Sequence, residues 1–108
     1  MASSKEYLAF VLEQLDGLEG LRSRGMMGEY LLYCEGKVVG GVYDDRLLLK
    51  PTPSALALVK ENELELTMEL PYEGAKAMLL ADVDRRELLQ ELVRAVAADL
   101  PAPKKKNR

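Results

Sequence analysis

Apolar residues recur along this chain at two different periods, and the change of period separates the predicted elements. Near the N-terminus they stand three or four residues apart, at Leu8, Val11, Leu12, Leu15 and Leu18. This spacing predicts a helix with one apolar face. Ser3 and Glu6 form a capping-box pattern ahead of it, so we expect Ser3 to cap this first helix.

Three short apolar runs follow and predict an antiparallel meander of strands. They span residues 30–34, 38–43 and 46–49. Two polar turns separate them, Glu35-Gly36 and Asp44-Asp45. The runs are apolar almost without interruption, so we expect the strands to be covered on both faces for part of their length. Gly40 and Gly41 inside the middle run indicate a bulge or a close approach by another element.

The next segment predicts a short helix and two more strands. Pro51 and Pro53 end the meander because proline has no N–H to donate to a sheet. We expect Ser54 to cap a helix that runs to about Lys60. Residues 62–70 alternate apolar and polar side chains, which predicts a strand with one exposed face, and a last strand is predicted at residues 78–83.

The C-terminal part predicts one more amphipathic helix. Asp84 and Glu87 repeat the capping-box pattern, and Pro101 ends the helix. The predicted order is therefore α-β-β-β-α-β-β-α. An antiparallel sheet with helices at both ends of the chain predicts an α+β fold, a two-layer sandwich. We expect residues 1–100 to form a single domain and residues 101–108 a basic flexible tail.

Charge is distributed unevenly between this domain and the tail. The formal net charge is −3, but the tail alone carries Lys104, Lys105, Lys106 and Arg108. Without them 11 basic residues face 18 acidic ones, a charge of −7. Nucleic-acid affinity depends largely on clustered lysine and arginine. Because the chain without its tail is this acidic, nucleic acid is only weakly supported as a partner.

The residue inventory argues against a catalytic or metal-binding protein. The chain has no histidine, which excludes histidine-based acid–base catalysis and the commonest zinc ligand. Its one cysteine, Cys34, cannot form an intramolecular disulfide and ends an apolar strand, where we expect it to be a buried small hydrophobe. We therefore expect no enzyme activity, no cofactor and no metal. The single thiol fits a protein of the reducing cytoplasm. Because the sequence has no long apolar segment, we expect no membrane association.

Two further clusters have alternative interpretations. Asp44 and Asp45 are suitable oxygen ligands for a divalent cation, but a tight turn explains them better. Met26 and Met27 lie between two glycines without the lysine of a phosphate-binding loop. We expect this methionine pair to fill the core, with an adaptable contact surface as the alternative.

The region between residues 24 and 50 resembles the N-terminal domain of the TfoX/Sxy proteins. In that family an Arg-x-Met-Phe-Gly segment leads into a strand, a glycine turn and an Asp-Asp-x-Leu-x-x-Lys hairpin. The matching residues are Arg24, Met26, Gly28, Asp44, Asp45 and Lys50. Met27 replaces the usual phenylalanine and Glu29 a usual glycine.

The resemblance implies a regulatory protein rather than an enzyme. Full-length relatives regulate natural competence as transcriptional co-regulators and carry a second, helical C-terminal domain, which we expect this chain to lack. Our leading hypothesis is a non-enzymatic regulatory or protein-interaction domain that forms a homodimer, with the strand at residues 63–70 as a sheet edge. The residues expected at the interaction site are Arg22, Arg24, Met26, Met27, Gly28, Asp44, Asp45 and Lys50.

Two alternative functions remain open at this point. One is a nucleic-acid-associated transcriptional co-regulator that uses Arg22, Arg24 and the lysine tail. The other is a small-molecule sensor or an enzyme built on carboxylates and tyrosines. Its candidate residues are Tyr30, Tyr43, Asp44 and Asp45.

Overall fold

The structure, a computed structural model, describes residues 3–101. Its helices are α1 (Lys5–Gln14), α2 (Pro53–Glu61) and α3 (Arg86–Asp99). Its strands are β1 (Arg22–Met26), β2 (Glu29–Cys34), β3 (Lys37–Val42), β4 (Leu47–Leu49), β5 (Met68–Glu69) and β6 (Met78–Leu80). The predicted basic tail lies outside the described residues, except for Pro101. Within residues 3–101, each helix is too short or too polar to cross a membrane.

All strand pairs are antiparallel, in the order β1-β2-β3-β4-β6-β5. The predicted α+β class and order of elements are confirmed. The structure adds β1, whose Arg-Ser-Arg-Gly-Met sequence has no apolar alternation and is exposed throughout. Met27 and Gly28 join it to β2 in a two-residue turn with φ of 51° and 87°. Positive φ at both positions is the geometry that holds adjacent strands in a tight hairpin.

All three helices bury their apolar sides in one core against one face of the sheet. Val11 and Leu15 enter it from the first helical segment, Ala55 from α2 and Leu92 with Val96 from α3. The sheet contributes Leu32, Cys34, Val39, Val42, Leu47, Leu49, Leu79 and Ala81. Each fully buried leucine or valine stabilises the fold by roughly 1.5–3 kcal/mol before the entropy of ordering is subtracted.

The two glycines of β3 confirm the predicted close approach. A Cβ atom on Gly40 would collide with the carbonyl oxygen of Leu48 on β4. A Cβ on Gly41 would lie 2.6 Å from the carbonyl oxygen of Tyr30 and 2.8 Å from the ring of Tyr43. The pairing of β2 with β3 also shifts register at Leu32/Tyr33, so an irregularity accompanies the close packing.

The first helix is capped one residue later than expected. Ser4, not Ser3, is the N-cap, and its Oγ accepts the N–H of Tyr7 at 3.1 Å. The two serines are adjacent and chemically equivalent; the spacing to Glu6 favours Ser3, but the helix begins at Lys5, which places Ser4 at the cap. Ser3 makes a different contact: its Oγ–H donates to the carboxylate of Glu29 at 2.7 Å.

The other two helix starts also differ from the prediction. Thr52 caps α2 in place of Ser54, and Pro53 occupies the first helical turn, where its missing N–H costs nothing. The α3 helix begins at Arg86 without a side-chain cap. The N–H of Asp84 instead donates to the carboxylate of Asp82 at 3.0 Å, which forms a turn before the helix.

Only part of the alternating segment 62–70 forms a strand. Leu66 packs against the core, and Met68 lies on the same side because it pairs with the core residue Leu79, but Met68 and Leu70 are exposed. Glu63 turns the chain with a φ of 52°. Two residues then pair with β6, and the carboxylate of Glu69 forms an ion pair with Arg46 at 2.7 Å.

Candidate interaction surface

Within the described residues, one face of the sheet carries no helix, and most of the predicted interaction residues lie on it or at its rim. Leu32 and Cys34 point into the helix-side core, so the alternation of a strand directs Leu31 and Tyr33 the opposite way. Directly paired residues share a face. We call this surface the open face, and its residues are Arg22, Arg24, Met26, Leu31, Tyr33, Val38, Leu48 and Leu80.

Burial on the open face decreases from β4 toward β1. All three leucines of β4 are fully buried, so the expectation of coverage on both faces holds there. Leu31, Tyr33 and Val38 are only half-buried. The open face therefore presents a partly exposed apolar area over β2 and β3.

Two tyrosines divide the surface next to the open face into two shallow grooves. The ring of Tyr43 lies above Gly41, and its centroid is 6.3 Å from that of Tyr72, whose side chain is 64% exposed. One groove of about 320 Å³ lies between this pair and the two methionines of the hairpin, Met26 and Met27. Burial, then the neighbouring Tyr72 and Glu29, raises the pKa of Tyr43, so its hydroxyl stays protonated.

The second groove extends the surface toward the start of α2. It measures about 390 Å³, and its wall includes Lys50, Pro51, Lys76 and Met78. Lys50 thus lies near the tyrosine pair but on the far side from Met26. The grooves are open and mostly apolar, which suits contact with an extended polypeptide better than enclosure of a small molecule.

The two arginines of β1 form a cationic rim. The Arg22 guanidinium lies over the ring of Tyr33, 5.2 Å from its centroid. Arg22 and Arg24 are exposed, and among residues 3–101 the one ion pair joins Arg46 to Glu69. The positive charge of β1 is therefore not neutralised by an acidic side chain of the described fold.

The expectation that the methionine pair fills the core is wrong. The Met27 side chain is 97% exposed and that of Met26 is 46% exposed. Met27 occupies the hairpin turn with positive φ, which directs it away from the sheet. The Met-Gly pair is an unusual turn sequence, and it could be recognised only once β1 was known to be a strand.

Asp44 and Asp45 form the predicted turn, with φ of 53° and 56°. The carboxylate of Asp45 accepts the N–H of Ser4 at 2.8 Å, and the N–H of Asp45 donates to Oγ of Ser3 at 3.0 Å. These bonds attach the start of α1 to the β3–β4 hairpin. Within the described part of the chain, no group of three or more acidic or cysteine side chains is placed to hold a metal ion.

Glu29 joins the same network, and sequence reasoning did not identify it as important. Its Oε1 accepts both the Oγ–H of Ser3 at 2.7 Å and the N–H of Asp44 at 3.1 Å. The carbonyl oxygen of Gly28 also accepts the N–H of Ser3 at 3.0 Å. We call this set of contacts the N-terminal anchor; it assigns a structural role to Gly28 and the two aspartates.

The residues named for a tyrosine- or carboxylate-based site do not converge. Tyr30 packs against the helix-side core, whereas Tyr43 lies on the open side of the sheet. Cys34 is buried as predicted, and its thiol donates to the carbonyl oxygen of Glu19 at 3.5 Å. Burial, more than the adjacent Glu35, raises the pKa of the Cys34 thiol, which makes it a poor nucleophile.

The fold and this surface define a small α+β domain with helices on one side of its sheet and an apolar, cationic surface on the other. Residues 13–98 match the TfoX N-terminal domain, so the chain belongs to the TfoX N-terminal domain family. The family predicted from residues 24–50 is thereby confirmed over most of the chain.

A curated relative is similar to this chain over nearly the full length. It is an uncharacterized 12.7 kDa protein in the trpE 5′ region of Spirochaeta aurantia. The two chains are 42% identical over 106 residues, which cover 96% of this chain and 89% of the relative.

Proposed function

We propose that this chain is a non-enzymatic regulatory module that packs its open face against another protein, first of all a second copy of itself. The half-exposed Leu31, Tyr33 and Val38 carry the proposal, because an apolar sheet face gains stability when a second sheet covers it. A homodimer related by two-fold symmetry would bring the same patch from each copy together.

The open face supports self-association better than either edge of the sheet. The β5 edge comprises only two paired residues, too few to template a stable intermolecular strand. At the other edge, β1 carries Arg22 and Arg24, which would repel the same residues of a second copy. The open face has apolar side chains at its centre and its charges at the rim, the usual layout of a protein interface.

A regulatory role in transcription or competence is part of the proposal, since the chain belongs to the TfoX N-terminal domain family. The buried, unpaired thiol of Cys34 is consistent with action in the cytoplasm. The family membership bears on the process that the module regulates, and the Cys34 thiol bears on the cellular compartment. The surface chemistry itself supports the binding of a partner and does not identify the process that is regulated.

Sedimentation velocity over a wide range of protein concentration tests the self-association. We expect the wild-type chain to form a dimer and Leu31→Glu to remain monomeric, because a carboxylate cannot be buried unpaired in an apolar interface. Leu56→Glu is the matched control, since Leu56 is an exposed leucine on α2, on the helix side. A wild-type chain that stays monomeric throughout, or a dimer that Leu31→Glu leaves intact, would rule out this arrangement.

A second candidate function is binding of single-stranded nucleic acid across the open face. One observation favours it: Arg22 stacks on Tyr33, and the tyrosine pair Tyr43 and Tyr72 lies on the same side of the sheet. Aromatic side chains interleaved with cations are the combination that single strands use for stacking and phosphate contact. Binding of labelled single-stranded DNA distinguishes this candidate from the first.

A further inference from the structure

The free edge of β1 has the features of a docking site for another strand. β1 pairs with β2 on one side, and on the other side no strand of the described chain pairs with it. All five of its residues are exposed. An unpaired strand edge offers backbone donors and acceptors to an incoming polypeptide.

The hairpin geometry identifies the backbone groups that are available. Met26 and Glu29 flank the two-residue turn and face each other as a hydrogen-bonded pair, so Arg24 and Arg22 also bond to β2. The backbone N–H and C=O groups of Ser23 and Gly25 therefore point outward. Their small side chains leave the approach to this edge unobstructed.

The side chains of the edge determine which strand fits it. Arg22 and Arg24 lie two residues apart on the open face, and Met26 follows at the same spacing. A second copy aligned antiparallel along the whole of β1 would place Arg24 directly opposite its own counterpart, which is destabilising. A strand with acidic side chains at alternate positions would instead place a carboxylate opposite each arginine.

An apolar site adjoins the cationic part of this edge. Met26 and the exposed Met27 form one wall of the groove of about 320 Å³, and Tyr43 with Tyr72 forms the other. Flexible thioethers adapt to ligands of different shape, and aromatic rings provide a rigid counterpart. The groove lies on the β2 side of Met26, so a segment that joins the free edge of β1 can pack an apolar side chain against the outer side of Met26, beside its acidic residues.

We propose that the edge of β1 binds an acidic extended segment of a partner protein, which adds to the sheet as a further strand. Its acidic side chains face Arg22 and Arg24, and an apolar side chain packs against Met26. This inference rests on the proposed function as an interaction module, and it names the chemistry of one partner. For an antiparallel segment, the N-terminal residue is the apolar one.

Nuclear magnetic resonance titration with two end-blocked peptides tests the proposal. The first peptide, Leu-Thr-Glu-Thr-Glu-Thr, carries the expected pattern, and the second replaces both glutamates by lysine. We expect the wild-type chain to bind the glutamate peptide and not the lysine peptide. The amide protons of Ser23 and Gly25 should exchange more slowly in the complex, because they gain hydrogen bonds to the added strand.

A charge reversal provides the decisive comparison. The double variant Arg22→Glu with Arg24→Glu should weaken binding of the glutamate peptide by roughly tenfold and should gain binding of the lysine peptide. Arg94→Glu reverses an exposed arginine on α3 and should leave both affinities unchanged. Circular dichroism of each variant checks that the fold is retained.

Several results would overturn the inference. They are equal binding of both peptides, binding that the double variant does not alter, and a complex in which Ser23 and Gly25 stay unprotected. Single-stranded DNA that binds through Arg22 and Arg24 when the glutamate peptide does not would assign the edge to nucleic acid. Sedimentation of the same samples keeps the proposals apart, because a dimer sensitive to Leu31→Glu can persist when the peptide fails to bind.

Discussion

Position 40 shows how a single missing side chain allows two strands to approach. A methyl group on Gly40 would collide with the carbonyl oxygen of Leu48 and lie 2.9 Å from Cα of Leu49. Both atoms belong to the backbone of a fully buried strand, which cannot move aside like the end of a flexible side chain. Gly40 is therefore required for the β3–β4 pairing that supports the centre of the sheet.

We expect Gly40→Ala to destabilise the fold by about 2 kcal/mol or more, the usual scale for overpacking a buried site. Urea unfolding measures this loss. Gly25→Ala is the control: its Cβ would meet the Tyr30 ring at an ordinary 3.7 Å, so its stability should equal or slightly exceed that of the wild type. Equal stability of Gly40→Ala and the wild type would contradict the close approach.

Residue identity alone predicts the Asp44-Asp45 turn but not the contacts of Glu29 in the N-terminal anchor. Asp44 and Asp45 were recognised as turn residues because aspartate tolerates positive φ, a property of the residue itself. The importance of Glu29 depends on Ser3 and Asp44, which lie 26 and 15 residues away in the chain. Such a contact exists only after folding, so no local pattern predicts it.

At the scale of elements, the hydrophobic pattern predicts α1, α3 and the central meander, and proline with a capping residue predicts α2. The hydrophobic pattern does not predict β1, because this strand is held by its turn and its pairing with β2 and buries none of its own side chains. The segment at 62–70 shows the opposite case: its period-two pattern exceeds its two-residue strand. Alternation predicts an extended chain with one buried face, but strand pairing also needs a neighbour.

The contact between α2 and α3 is fixed at one end by a carboxylate. Asp99 accepts the backbone N–H of Ser54 through Oδ2 and the Ser54 hydroxyl through Oδ1, both at 2.7 Å. The Ser54 hydroxyl, then its N–H, holds the pKa of the Asp99 carboxyl below its usual value. Because ionisation is favoured in the folded state, the contact stabilises the fold at pH above the unfolded pKa of the carboxyl. That contribution is lost as the pH falls through the folded pKa.

We expect Ser54→Ala to raise the pKa of Asp99 toward its ordinary value and to reduce the loss of stability between those two pKa values. Carbon-detected titration of the carboxyl and unfolding at several acidic pH values measure the two effects. Ser23→Ala, an exposed serine on β1, is the control and should change neither. If the pKa of Asp99 is the same in Ser54→Ala and the wild type, the hydrogen bond from the Ser54 hydroxyl does not cause the shift, because the backbone N–H of residue 54 is retained in the variant.

At the scale of the whole molecule, the net charge and the positions of the charged residues in the fold give different information. The composition describes an acidic chain, and without its last eight residues the chain has a charge of −7. The fold gathers Arg22 and Arg24 on one edge and leaves Lys50 beside the tyrosine grooves. This positively charged area on an acidic chain cannot be predicted from composition, because it depends on the register of β1 against β2.

The salt dependence of DNA binding separates the two functions proposed for this surface. A single strand held by Arg22, Arg24 and the lysine tail should lose affinity steeply with added salt, because each phosphate contact releases a counterion. The acidic body opposes such binding, so we expect labelled single-stranded DNA to bind weakly at low salt and not at physiological salt. Fluorescence anisotropy of wild type and Tyr72→Ala measures this, since Tyr72 is the most exposed aromatic residue of the surface. Tight binding at physiological salt that Tyr72→Ala weakens would favour nucleic acid over protein as the partner of the open face.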